Sequence, residues 1–262
     1  MGSETIRVEH SGSVMILALN RPDKLNSFNS EMSLALQQAL ADAKGDHVRV
    51  VVLTGTGKGF CAGQELGDDV LGKDGEKPDL SITIDKFWNP IVRSLRSLGK
   101  PVICAVNGVA AGAGANVALA CDIVLAARSA KFIQPFNKLG LVPDSGGTYF
   151  LPRLVGEARA LGLTLLGEPL SAEKAESWGL IWKVYDDDQL MNEAMKLATH
   201  LATQPTFGLG LVKQAIYAAA TNTLDEQLDL ERDLQKSAGE SADYTEGVKA
   251  FLERRPAHFI GK

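Results

Sequence analysis

The feature that most limits the fold is a run of apolar and small residues at 101–127, PVICAVNGVAAGAGANVALACDIVLAA. It is long enough to cross a membrane. However, Asn107, Asn116, Asp122 and three glycines, Gly108, Gly112 and Gly114, interrupt it. The pattern instead predicts a strand, a turn, a small-residue helix and a second strand. A chain that contains such a unit is expected to be α/β.

The flanking segments extend this reading. Residues 5–19 predict two strands that turn at Ser11–Ser13, and NSFNSEMSLALQQALADAKGD predicts a helix with cap residues at its start. VRVVVLTG reads as a buried strand, and 81–98 as a helix leading into PVICAVN. The polar, Gly-rich segment 67–80 predicts a mobile loop. Beyond 145 helical patterns dominate, with one short strand, LIWKVY, among them. RLVGEARALGLTLLG reads as one helix, and a helical tail begins near Pro205.

Composition excludes several classes of function. With 45% hydrophobic and 23% charged residues, the 262-residue chain has material for a sizeable core. A net charge of −5 gives no electrostatic case for nucleic acid. Cys61, Cys104 and Cys121 are odd in number and lack metal-ligand spacing. Reduced, buried thiols in the cytoplasm are the expectation. The start, MGSETIRVEH, has no apolar signal region. His10, His47, His200 and His258 are scattered in polar or terminal contexts and read as solvated. No metal is expected.

Four motifs are chemically suggestive. TGTGKGF (54–60) fails the phosphate-loop pattern because Gly59 follows Lys58, so it reads as a turn. GFCAGQEL (59–66) puts small residues where a strand turns, but taken alone it reads as a tight turn rather than a site. VNGVAAGAGANVAL (106–119) opens a helix almost without side chains, which suits either close packing or a developing negative charge. Together, two such segments can each donate a backbone N–H to one carbonyl oxygen. LGLVPDSGGTY (139–149) then offers Asp144, either as a turn former or as a base that makes an enolate. Leu141, Val142 and Pro143 beside it are expected to raise its pKa.

These segments, with LNRPDKLNSFN (19–29) and GVKAFLERR (247–255), resemble the enoyl-CoA hydratase/isomerase, or crotonase, superfamily nearly end to end. The resemblance implies a spiral of ββα units over 1–204 and a helical oligomerisation region over 205–262, giving a trimer or a pair of trimers. It implies an acyl-CoA thioester as substrate, with no separate cofactor and no nucleic-acid or membrane partner. The implied oxyanion donors are the N–H groups of Ala62 and Ala113. Implied substrate or CoA contacts are Lys24, Cys61, Gly63, Gln64, Glu65, Leu66, Val109, Phe136, Tyr149 and Arg254. Hydratases of the family carry two glutamates, where this chain has Asn116 and Phe136. What remains is Asp144, at the position where the family's isomerases place their acid/base. Several segments resemble the branch that isomerises the ring epoxide of phenylacetyl-CoA. A dehalogenase would need a histidine on the helix before the KP strand, and 81–99 has none. The main alternative is a general enoyl-CoA isomerase or hydratase of fatty-acid oxidation. A non-catalytic acyl-CoA scaffold is a further one, and the intact set Ala62, Ala113 and Asp144 argues against it.

Overall fold

The computed structural model describes residues 4–67 and 78–262. Residues 68–77 of the mobile loop expected at 67–80 lie outside the described residues, and its last residue, Leu80, begins a helix. The main sheet has six strands in the order β1-β2-β3-β5-β7-β10. β1 (Ile6–Ser11) and β2 (Val14–Leu19) form the expected antiparallel hairpin. β3 (Val50–Gly55), β5 (Val102–Val106), β7 (Ile123–Ala127) and β10 (Lys183–Tyr185) follow in parallel. Every residue of β5, and all of β3 except its last glycine, is buried. That is why both read as unbroken apolar runs, since a parallel strand is covered on both faces.

A second sheet, β4-β6-β8-β9, is built from much shorter strands: β4 (Gly59–Cys61), β6 (Val109–Ala111), β8 (Lys131–Ile133) and β9 (Leu170–Ser171). β3 and β4, β5 and β6, β7 and β8 are consecutive pairs, and each pair gives one strand to each sheet. This is the ββα spiral. The apolar run 101–127 folds as predicted, with one addition: β6 occupies part of the expected turn.

Helices cover the sheets. α1 (Ser30–Asp42) is capped by Asn29, whose side chain accepts from the Met32 N–H. α2 (Leu80–Thr83) passes through a π-turn (Ile84–Trp88) into α3 (Asn89–Ser97), so the helix expected at 81–98 is present but locally wide. α4 (Ala113–Leu119) is buried at every position, which explains its small side chains. The helix expected at 153–167 is in fact two, α5 (Gly147–Val155) and α6 (Glu157–Leu166), divided at Gly156. α7 (Ala172–Ser177) and α8 (Leu190–Ala202) follow, and α8 lies across β3, β5 and β7. α9 (Thr206–Ala218), α10 (Leu224–Gly239) and α11 (Ala242–Glu253) form the C-terminal region.

Candidate active site

The segment 59–66 leaves β4 through Gly63, at φ +92. A Cβ there would stand 2.9 Å from Ala111 O and 3.7 Å from Ala113 N. Only glycine lets this turn lie against the start of α4. Beyond it, Gln64 forms a bridge with Phe28. The Phe28 N–H donates to Gly63 O at 2.8 Å and the Glu65 N–H to Phe28 O at 2.9 Å. Gln64's own N–H points away from that bridge and has no hydrogen-bond partner among the described residues. The Gln64 side chain is fixed by the buried Trp88, whose indole N–H donates to Oε1 at 2.9 Å.

This corrects one sequence expectation. The Ala62 N–H already donates to Leu25 O at 3.0 Å. One N–H carries one proton, so Ala62 is not free to hold an oxyanion. Ala113, the first residue of α4, has no intrahelical partner for its N–H and no other partner among the described residues. The free pair at this junction is Gln64 and Ala113. Sequence reading missed Gln64 as a donor because both it and Ala62 flank the same glycine. Only the hydrogen bond to Leu25 separates them.

Asp144 is half-buried, on the loop that leads into α5. Its carbonyl accepts from the Gly147 N–H at 2.8 Å and from Asn116 Nδ2 at 2.9 Å. Asn116 is wholly buried on α4, one turn beyond Ala113, so α4 joins the free Ala113 N–H to the Asp144 loop. The Asn116 amide is oriented in turn by Gln134 Nε2, which donates to Oδ1 at 2.8 Å. The Asp144 side chain accepts from the Ser145 hydroxyl at 3.0 Å. Burial pushes its carboxyl above the ordinary aspartate range, and the Ser145 and own-peptide hydrogen bonds pull the other way. The source of this burial differs from expectation. Leu141 and Val142 are exposed, the latter at 78%, so the fold around the loop buries Asp144, not its chain neighbours.

The remaining candidates divide. Phe136 is buried, and a Cβ at Gly112 would touch its ring at 3.6 Å, so the phenyl lies next to the Ala113 donor. Cys61 is fully buried on β4, its thiol pushed up to about 12, and it accepts the Gly63 N–H at 3.4 Å. It braces the turn and offers no surface to a ligand. Glu65 is paired with Arg21 at 2.7 Å and with the exposed Lys24 at 3.7 Å. Arg21 holds its carboxyl below the usual range, so Glu65 is a tethered anion, not a proton carrier. Leu66 is exposed and Val109 half-buried on β6. Tyr149 packs edge-on against Phe150 and lies under the Arg153 guanidinium at 3.7 Å. Arg254 is exposed at the left-handed cap of α11, away from the elements that carry Asp144. All four histidines are exposed, and no group of metal-ligating side chains occurs among the described residues.

The LNRPDKLN motif, which carries no acid/base group of its own, turns out to be a brace. Asn26 is buried and donates to Thr56 O at 2.9 Å and Gly59 O at 2.8 Å, holding the β3–β4 turn. The glycine-rich TGTGKGF segment is that turn, as expected.

Comparison with known proteins agrees with this fold. The family model described as enoyl-CoA hydratase/isomerase matches residues 9–262. The 1,2-epoxyphenylacetyl-CoA isomerase of Escherichia coli is 61% identical over 250 residues, 95% of each chain. A Rhodobacter capsulatus protein named "Probable enoyl-CoA hydratase" is 45% identical over 262 residues, the whole of both chains. The solved structure of an enoyl-CoA hydratase from Bacillus anthracis superposes with a TM-score of 0.91 at 31% identity, covering 99% of this chain and 100% of that one. With an α/β spiral of this kind, a match over nearly its full length and a relative at 61% identity, the chain belongs to the enoyl-CoA hydratase/isomerase family.

Proposed function

We propose that this protein is an acyl-CoA isomerase in which Asp144 is the sole acid/base and the N–H groups of Gln64 and Ala113 hold the thioester oxygen. Its substrate is the ring 1,2-epoxide of phenylacetyl-CoA, which it converts to the oxepin thioester. The same site shifts 3-enoyl-CoA to 2-enoyl-CoA. The substrate reading is supported by the E. coli relative, which is named for this reaction. The chemistry is supported by one observation. A single half-buried carboxylate is joined through Asn116 and α4 to a free pair of backbone donors.

For the enoyl substrate, Asp144 removes a proton from C2 while electron density moves onto the thioester oxygen. The oxyanion is met by donors already in place, and losing one such donor typically costs about 3 kcal/mol. Asp144 then returns the proton at C4. The ring epoxide begins with the same acidity next to the thioester. Coenzyme A is part of the substrate, and no separate cofactor is needed. Hydration would need a group to activate water, and the two positions that could supply one hold an amide, Asn116, and a buried phenyl ring, Phe136. CoA contacts at Lys24, Leu66, Val109, Tyr149 and Arg254 belong to this proposal, as does residence in the cytoplasm.

The assembly is proposed to be a trimer, or a pair of trimers, formed through 205–262 and built on the core 1–204. Ile216, Leu224, Phe251 and Leu252 are all exposed there, apolar side chains that a neighbouring subunit would cover. The test of the function is Asp144→Asn assayed on epoxyphenylacetyl-CoA and 3-enoyl-CoA. Loss of turnover with retained CoA-ester binding supports the reading, and near-native turnover overturns it.

A further inference from the structure

Ser145 combines three properties that a turn alone does not require. It is 2% exposed, its backbone lies at φ +49, and its hydroxyl donates to Asp144 Oδ1 at 3.0 Å. The left-handed region is costly for a residue with a Cβ. Glycine or asparagine would meet the same turn with less strain. Strain held in a buried position beside a reactive group points to a function for the side chain. The peptide that bears the carboxylate is held independently, because the Asp144 carbonyl accepts from both Gly147 N–H and Asn116 Nδ2. Oδ2 has no side-chain partner among the described residues.

We propose that Ser145 is a positioning residue that ties down Oδ1 of Asp144 and leaves Oδ2 as the single oxygen that takes and returns the substrate proton. This rests on the reading of Asp144 as the base. In the first step the C2–H bond breaks, the Oδ2–H bond forms, and the electron pair moves to the thioester oxygen. In the second the oxygen pair reforms the thioester C=O and the C1=C2 pair becomes the 2,3 double bond. The 3,4 π pair takes the proton to form C4–H, and the Oδ2–H bond breaks with its electrons staying on Oδ2. Throughout, Oδ1 is an acceptor, charged or neutral, so the Ser145 hydroxyl can keep its hydrogen bond in both protonation states. A carboxylate fixed at one oxygen cannot rotate its proton away between the two carbons.

Among the described residues, the surroundings of Asp144 contain no second titrating partner. α4 brings the amide of Asn116, and the segment Gln134–Leu139 brings Gln134, Phe136 and the exposed Lys138. On α5, Tyr149 and Arg153 engage each other, and Arg96 of α3 lies over Phe150 at 5.2 Å. No charge among them shifts the Asp144 carboxyl, which answers to burial, Ser145 and its own peptide.

The test is kcat against pH for the full-length protein and for Ser145→Ala and Ser145→Gly, with thermal melts of each and Asp144→Asn as control. In both serine variants the acid limb should move to higher pH, because a hydrogen bond to the ionised carboxylate has been lost. Plateau kcat should fall roughly 10- to 100-fold, as for a misplaced catalytic group. The glycine variant, freed of left-handed strain, should melt at or above the temperature of the parent, so the pH shift cannot be blamed on instability. Acid limbs unmoved in both variants, with kcat following melting temperature alone, would overturn the inference while leaving Asp144 as the base. Turnover retained in Asp144→Asn would instead remove the base assignment and the inference with it.

Discussion

At the scale of single residues, the chemistry turns on how one carboxylate is held. Asp144→Asn should reduce isomerisation by a factor on the order of 10² to 10⁴, the usual weight of a general base. It should also stabilise the fold at neutral pH. Burial raises the Asp144 pKa, so the folded protein binds its proton more tightly than the unfolded chain does. Stability contributed by this group is therefore full below the unfolded pKa and is lost as pH rises through the folded one. The gain in melting temperature from Asp144→Asn should appear at neutral pH and vanish in acid. An unchanged melting temperature at neutral pH would show that the site does not penalise the charge. Asp144 could be singled out in the sequence as the proposed base, since Asn116 and Phe136 stand where hydratases of the family carry their glutamates. The cause of its raised pKa was not. Leu141 and Val142 face solvent, and burial by distant elements cannot be read from neighbours in the chain.

Among the elements, long strands and long helices could be read from pattern, whereas most short strands could not; the three-residue β10, inside the apolar run LIWKVY, is an exception. β3 and β5 announce themselves as apolar runs. β6, β8 and β9 have three residues or fewer, too few for any period to register, and exist because the second sheet pairs them. The two small-residue segments do lie against each other, yet the N–H left free after β4 is that of Gln64, two residues beyond the Ala62 expected. A backbone bond to Leu25, from a loop more than thirty positions earlier, takes Ala62 out of play. The turn at Gly63 supplies a test of the corrected pair. In Gly63→Ala a methyl would stand 2.9 Å from Ala111 O at a φ of +92, pushing Gln64 away from Ala113. kcat/KM should fall by about 10² to 10³, the weight of one oxyanion donor, with the acid limb of the pH profile in place. Activity within a few-fold of the parent would mean that Gln64 is not a donor.

For the molecule as a whole, the C-terminal helices are tied to the core by buried polar contacts that the sequence does not advertise. Lys213 of α9 is buried, pairs with Asp122 at 2.8 Å, and donates to Leu95 O and Lys100 O. Tyr217, one turn on, donates to the same aspartate. Lys213→Ala would leave the half-buried Asp122 carboxylate without its cation, though still hydrogen-bonded to Tyr217 and the Val102 N–H, at a cost of up to about 3 kcal/mol, read as a lower denaturant midpoint. An unmoved midpoint would show that α9 is held by its apolar contacts instead. Light scattering at micromolar concentration should return the mass of a trimer or hexamer, and a monomeric mass would contradict the assembly proposed for 205–262. The most direct measurement of what the molecule does compares two rates on one purified sample: isomerisation of 3-enoyl-CoA and hydration of 2-enoyl-CoA. With Asn116 and Phe136 lining a site that has one base, isomerisation should exceed hydration by orders of magnitude. A hydration rate comparable with isomerisation would mean that Asp144 alone activates water, and the single-base isomerase would be wrong.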